Sequence, residues 1–307
     1  MSKRARIAII GAGFIGRSWA TLFAQHGHSV TIYDSDITAL NQFHDALCTS
    51  LDELSDAGLL ARPRLEILES ITLQSCLAAA VSNADYVQEN APERLDTKRA
   101  LFAELDRIAP PTAVLASSSS SLTCTQMCAE LPGRARCVVA HPANPPHLLR
   151  AVEIVPASFT AKETVTQAAA IMQSVGQVPI VVGEIDGFVM NRLQAALARE
   201  ALALIAAGIA DATAVDAIVK HSLGPRWAFM GPFETMDLNA PLGFADYAQR
   251  YGGPFARLFG EPCWPPEAVT AVDQSMRDRY AADALPERRE WRDRRLTALI
   301  AHLRSQP

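Results

Sequence analysis

The chain has 307 residues, 49% of them hydrophobic and 20% charged, with a formal net charge of −5. This length and apolar fraction predict one large or two ordinary domains with a sizeable core, and argue against wholesale disorder. The acidic balance argues against a nucleic-acid partner, and no apolar run approaches the roughly 20 residues of a membrane span.

The opening "MSKRARIAIIGAG" passes from a few basic residues straight into a strand and a glycine loop, so no signal peptide is predicted. Six cysteines, Cys48, Cys76, Cys124, Cys128, Cys137 and Cys263, are dispersed without any CxxC arrangement. They read as small apolar residues of a reducing, cytoplasmic protein, with no metal site and no disulfide framework.

The stretch "RIAIIGAGFIGRSWATLFAQHGHSVTIYDSD" alternates strand, helix and strand, with Arg6–Ile10, Phe14–His26 and Val30–Tyr33 as the elements and Gly27 as the helix stop. Residues 36–80 read as mostly helical. Strands follow at "DYVQEN", "TAVLA", "RCVVAH", "AVEIVPA" and "QVPIVVG". Helices are expected at "RLDTKRALFAELDRI", near "LTCTQMCAEL" and at "AKETVTQAAAIMQSVG". The alternation predicts an α/β fold, a Rossmann-type, doubly wound, mostly parallel sheet. After Gly183 the pattern turns all-helical, beginning with the long "GFVMNRLQAALAREALALIAAG" and closed by Gly208. The expected division is therefore 1–184 and 185–307. The charged tail Arg277–Arg295 reads as a solvated helix face.

Gly11, Gly13 and Gly16 form GxGxxG after a strand and at the opening of a helix, and Asp34 follows 23 residues after Gly11. The glycines allow a tight turn, close approach of backbone to a pyrophosphate, and close helix–strand packing. The helix start, with Phe14 and Ile15, offers N–H groups to the phosphates. Asp34 would accept hydrogen bonds from ribose hydroxyls and repel a 2′-phosphate. Asp36 adds to that repulsion, and positions 35–40 contain no Arg or Lys. The expected cofactor is NAD, held by Gly11, Gly13, Phe14, Ile15, Gly16 and Asp34.

Two further stretches carry candidate chemistry. "VLASSSSSLTC" places five serines at the end of a strand, where ligands bind in such sheets. "VVAHPANPPH" places His141 directly after an apolar strand. Histidine is a suitable acid/base beside a nicotinamide, but a single histidine there also reads as a satisfied structural residue. Spacing alone does not pair it with a carboxylate.

The succession S-S-L, H-P-x-N-P, V-E-[IV]-V and D-G-F-V-x-N-R over about residues 5–245 is similar to the 3-hydroxyacyl-CoA dehydrogenase superfamily. The resemblance implies catalytic roles for Ser120, His141, Glu153 and Asn191. His141 would take the hydroxyl proton, Glu153 would orient the imidazole, and Ser120 and Asn191 would hold the substrate oxygen. It further implies that Glu93 and Lys98 contact the nicotinamide ribose, and that Asn144 lies near the nicotinamide. Ser121 is chemically identical to Ser120, so the run leaves the position ambiguous by one residue.

Acyl-CoA members of the family need cations for the CoA phosphates. From Ser35 to Thr97 this chain has no Lys and only Arg62, Arg64 and Arg94. "LGPRWAFMGPFETMDLNA" resembles the branch containing λ-crystallin and L-gulonate 3-dehydrogenase, and L-carnitine dehydrogenases share its R-W-A-F-M-G run. Arg226 is the candidate for a bidentate pair with a substrate carboxylate, or for an ion pair with Glu234 or Asp237. Trp227 and Phe229 could cage a trimethylammonium group. The expected activity is NAD-dependent oxidation of a small free 3-hydroxy acid, L-gulonate first. Alternatives are a 3-hydroxyacyl-CoA, L-carnitine, or a non-catalytic crystallin-like NAD-binding protein. The family and the apolar 188–207 helix also lead to the expectation of a homodimer, with residues 185–307 serving substrate binding and dimerisation.

Overall fold

A computed structural model describes residues 4–260 and 264–305; Cys263 lies outside the described residues. By contacts the chain forms two compact units, Met1–Leu197 and Ala198–Pro307. This division by contacts falls inside the long helix Met190–Ala206.

The first unit runs β1 (Arg6–Ile10), α1 (Phe14–Gln25), β2 (Ser29–Tyr33), α2 (Ile37–Asp56), α3 (Arg64–Glu69), β3 (Ile71–Gln74), α4 (Leu77–Val81), β4 (Tyr86–Glu89), α5 (Leu95–Ile108) and β5 (Val114–Ser117). It continues with α6 (Cys124–Cys128), β6 (Cys137–Pro142), β7 (Ala151–Val155), α7 (Lys162–Ser174), β8 (Val178–Val181) and the start of α8 (Met190–Ala206). The strands form one sheet in the order β3-β2-β1-β4-β5-β6-β7-β8, parallel except between β6 and β7. Alternate residues of β1 explain the two-sided burial. Ile7 and Ile9 join one core cluster with Trp19 and Phe23, while Ala8 and Ile10 join another with Phe102 and Leu105. A sheet covered on both faces must be apolar on both, as β1 is.

Two features of the sheet depart from the sequence reading. Within the stretch read as helical, Ile71–Gln74 forms an edge strand, paired with Val30–Tyr33 of β2. Four residues are too few to show their own period beside longer helical neighbours. Second, β7 runs antiparallel to β6, because residues 143–150 are too short for the crossover that a parallel pair requires. This reversal places His141 directly opposite Glu153.

Beyond α8, the second unit contains α9 (Ala212–Ile218), a π-turn at Val219–Leu223, α10 (Gly224–Trp227), α11 (Pro232–Leu238), α12 (Phe244–Leu258), α13 (Pro266–Arg279) and α14 (Leu285–Ser305). The charged tail departs from the solvated-face expectation. Arg277 and Arg288 converge on the fully buried Asp237, and Arg289 donates to the Leu238 carbonyl at 3.1 Å. A buried carboxylate needs such partners, and here they tie α13 and α14 to α11.

Candidate active site

The glycine loop lies where the strand order reverses, between β1 and β4. Gly11 has φ +104, and its N–H donates to the Tyr33 carbonyl at 2.7 Å. A Cβ on Gly16 would stand 1.9 Å from the Gly11 carbonyl oxygen, so only glycine lets α1 begin this close to the loop. No side chain caps α1 at Gly13, and space beside its Cα is open. The first N–H groups of α1 are therefore available to an anion.

Asp34 stands just after β2. Its Oδ2 accepts from the Ala12 N–H at 2.7 Å and its Oδ1 from the Asp36 N–H at 2.9 Å. Each oxygen keeps acceptor capacity. Gly11, Gly13, Asp34, Asp36, Asn90 and Thr97 are among the residues lining a crevice of about 610 Å³. An acid at its wall, a free helix start and a backbone that approaches closely are the donor and acceptor set a dinucleotide needs. The residues thus fit NAD. Phe14, half exposed, and Ile15 occupy the first turn of α1.

The hydroxyls of the five serines, Ser117 to Ser121, differ in their partners. Ser117 Oγ donates to Glu89 Oε2 at 2.5 Å. Ser118 Oγ donates to Asn90 Oδ1 at 2.7 Å and accepts from Trp19 Nε1 and Gln88 Nε2. Ser119 Oγ and Ser121 Oγ both donate to Glu93 Oε1, at 2.5 and 3.0 Å. Among the described residues, only the Ser120 hydroxyl of the five has no hydrogen-bond partner, and Ser120 is exposed.

Three elements of the first unit meet at His141 and Glu153. His141 Nδ1 lies 2.9 Å from Glu153 Oε2, and both side chains are about 6% exposed. Glu153 Oε1 accepts from the N–H groups of Val189 and Met190 at 2.9 Å each, at the start of α8. Gly187 and Phe188 both adopt positive φ, +76 and +50, which turns these N–H groups toward the carboxylate. A non-glycine in that region is strained, and the fully buried Phe188 ring, 5.5 Å from the His141 ring, is what holds it. With Nδ1 committed to a carboxylate, the free Nε2 is the position for acid/base work. Asn191, in the first turn of α8, donates from Nδ2 to the Ser120 carbonyl at 2.7 Å, so these two residues are adjacent.

The remaining candidates divide. Glu93 keeps 35% of its side chain exposed. Burial raises its pKa, but hydrogen bonds from Ser119 and Ser121 and the charge of Lys98 outweigh that, lowering it to about 2. Lys98 is 1% exposed, its ammonium set on both oxygens of Glu89 at 2.7 and 2.9 Å and on the Ala91 carbonyl at 3.0 Å. It is thus packed into the protein rather than open to solvent. Asn144 is exposed in the β6–β7 connection, with no side-chain hydrogen bond among the described residues.

In the second unit, Arg226 donates from Nε to the Ser222 carbonyl at 3.0 Å. Glu234 and Asp237, the carboxylates weighed as its partners, instead engage Tyr280, Arg277 and Arg288. Among the described residues Arg226 has no ion pair. Arg62 and Arg64 are each paired, with Glu66 and Asp52.

Glu89 and Asn90 were missed as site residues by sequence reasoning. The available signal was "VQEN", where polar residues end an otherwise apolar buried strand.

The doubly wound sheet, glycine loop and acid at β2 fit the class of NAD-dependent dehydrogenases. Residues 6–185 match the NAD binding domain of 3-hydroxyacyl-CoA dehydrogenase, and residues 187–278 match its C-terminal domain. The chain belongs to this family, whose members act on 3-hydroxyl groups with NAD. It is 40% identical to λ-crystallin of Oryctolagus cuniculus, over 95% of this chain and 94% of that one. It is 36% identical to an L-carnitine dehydrogenase of Streptomyces coelicolor, over 92% and 91% of the two chains. Among solved structures, a 3-hydroxyacyl-CoA dehydrogenase of Archaeoglobus fulgidus has a TM-score of 0.79 at 25% identity, covering 99% of this chain and 100% of that one. No helix among the described residues is long and apolar enough to cross a membrane.

Proposed function

We propose that the chain oxidises the 3-hydroxyl of a small free 3-hydroxy carboxylic acid with NAD, L-gulonate being the leading candidate. The observation that carries the chemistry is the buried His141–Glu153 pair, which leaves one imidazole nitrogen free. His141 Nε2 takes the hydroxyl proton. Glu153, fixed by two α8 amides, keeps the imidazole in one tautomer and stabilises its cation. Ser120 Oγ and Asn191 hold the substrate oxygen. Bound NAD supplies the hydride acceptor, with Asp34 on the adenosine ribose, Glu93 toward the nicotinamide ribose and Asn144 near the nicotinamide.

A free acid is favoured over a CoA ester by two charges. Arg226 is a guanidinium without an ion pair, suited to a carboxylate, whereas no Lys stands between Ser35 and Thr97 and two of the three arginines there, Arg62 and Arg64, are already paired, leaving Arg94. The L-carnitine reading draws on the shared R-W-A-F-M-G run and on Trp227, which is 41% exposed. Phe229 supports it less, since Arg295 lies 5.7 Å over its ring. Residues 1–184 serve the cofactor and 185–307 the substrate and a second copy of the chain. The reason for a dimer is α8, which has no buried residue and leaves Leu193 and Leu202 more than 60% exposed.

The deciding experiment is an NAD-reduction panel with L-gulonate, 3-hydroxybutyrate, L-carnitine and a 3-hydroxyacyl-CoA, repeated with Arg226→Met. Turnover of a free acid is expected, with KM raised about tenfold or more by the substitution, the cost of a lost charge-assisted pair. Preference for the CoA ester, with KM unchanged in the variant, would overturn the carboxylate role. NADH binding without turnover of any compound would favour the non-catalytic alternative.

A further inference from the structure

We infer that the buried Glu89–Lys98 pair and Glu93 form a positioning device that shapes the serine run and thereby sets both Ser120 and Asn191. This rests on the role proposed above for those two residues as ligands of the substrate oxygen. It assigns Glu89 a function and gives Lys98 an indirect one.

The geometry is specific. Glu93 Oε1 accepts from four consecutive residues: Ser119 Oγ, the Ser120 N–H at 3.0 Å, the Ser121 N–H at 2.9 Å and Oγ at 3.0 Å, and the Leu122 N–H at 3.3 Å. Successive N–H groups converging on one oxygen make an anion nest, here filled by the protein's own carboxylate. The run bends because it wraps this oxygen. The Ser120 carbonyl, left on the outside of the bend, receives Asn191 Nδ2 at 2.7 Å. One carboxylate therefore fixes the backbone of one substrate ligand and the side chain of the other.

Glu93 is itself held. Lys98 Nζ lies 3.5 Å from Glu93 Oε2 and donates to both oxygens of Glu89. Glu89 is fully buried. It also takes the Ala91 N–H at 2.6 Å and the Ser117 hydroxyl, and Ser117 Oγ accepts from the Ser119 N–H at 3.1 Å. Glu89 thus anchors the start of the run through Ser117, and steadies its end through Lys98 and Glu93. A buried cation needs this compensation. Neutralising Glu89 leaves Glu93 as the one carboxylate facing Lys98, beside the Ala91 carbonyl, which draws Glu93 toward the ammonium and out of the nest.

The test is Glu89→Gln, which keeps the shape and removes the charge. Three readouts are taken on the full-length protein: amide hydrogen exchange of residues 117–123, kcat with the best acid of the panel, and NADH affinity by fluorescence. Exchange at 119–122 is expected to rise by about tenfold or more, and kcat to fall by at least about tenfold, a larger loss than the weakening of NADH binding that follows from displacing Glu93 near the nicotinamide ribose. A folded variant with wild-type kcat, or a kcat loss matched by equally weakened NADH binding, would overturn the inference. If Glu89→Gln does not fold, Ser119→Ala carries the test, because it removes one small hydroxyl that links Glu93 to the Leu122 N–H. Its kcat should fall about fivefold or more, a larger factor than any weakening of NADH binding, and an unchanged kcat overturns the inference. Loss of turnover in His141→Ala with full turnover in Glu89→Gln sinks this inference alone. Retained turnover in His141→Ala sinks the acid/base reading, while the exchange data still report on the serine turn.

Discussion

His141 on β6 and Glu153 on β7 face each other across an antiparallel pair, with Nδ1 2.9 Å from Oε2. Directly opposed residues in such a pair bring their Cβ atoms within about 5.5 Å, so the contact follows from the register. The second oxygen of Glu153 is occupied by the α8 amides, which prevents the carboxylate from rotating away. The pair is thus set by three elements rather than by either side chain.

His141→Ala should lower kcat by about two orders of magnitude or more and leave NADH affinity within about threefold. Glu153→Gln should lower kcat by a smaller factor, since the imidazole remains but its cation is no longer balanced. Steady-state kinetics and NADH titration check both, and turnover retained by His141→Ala would remove the base assignment.

Ser120→Ala and Ser121→Ala should separate. The Ser120 hydroxyl has no protein partner among the described residues, so its loss should leave the melting temperature unchanged and reduce kcat/KM by about tenfold or more. The Ser121 hydroxyl donates to Glu93, so its loss should cost about 1 kcal/mol of stability and reduce kcat/KM less. The reverse ranking in kcat/KM would exchange the two roles.

Asp34→Ala should narrow the preference for NAD over NADP, because the carboxylate that would repel a 2′-phosphate is removed. It should also weaken NAD binding itself, since Asp34 holds the Ala12 N–H of the glycine loop. The measurement is kcat/KM for the two cofactors. An unchanged ratio would count against the ribose contact.

His28 makes stability depend on pH. Burial pushes its pKa below the ordinary value, and the neutral ring accepts the Ala5 N–H on Nδ1 at 3.0 Å, with Nε2 3.0 Å from Ser174 Oγ. The unfolded chain then binds the proton more readily than the folded one. The stabilisation is complete above the unfolded value of about 6.5 and is lost as pH falls from there through the folded value. Melting temperatures at pH 7.5 and 5.5 should drop more in the wild type than in His28→Gln. Equal drops would exclude His28 as the source.

The legible parts of the site are those whose chemistry is local in sequence. Gly11, Gly13, Gly16 and Asp34 belong to one strand–helix–strand unit, and steric rules alone dictate their types. His141 and Glu153 are only 12 residues apart, yet their pairing was not readable from the residues, because it depends on β7 reversing against β6. Glu89 gave little sign of its role, being a single acid at the end of an apolar strand. Arg288 looked like surface charge, and folding buried it against Asp237.

The sequence by itself determined the architecture and the cofactor loop. Apolar periodicity and glycine placement act over a few residues, and no distant contact is needed to read them. Which of five like serines stands free, which carboxylate lies against the histidine, and which acids are consumed inside the protein were decided only by tertiary structure. Those outcomes depend on strand register and on competition for buried hydrogen-bond partners between residues far apart in the chain. Glu93 is where the two kinds of determination meet. Its place after β4 is local, but the turn it carries comes from residues 119–122 of another strand's end.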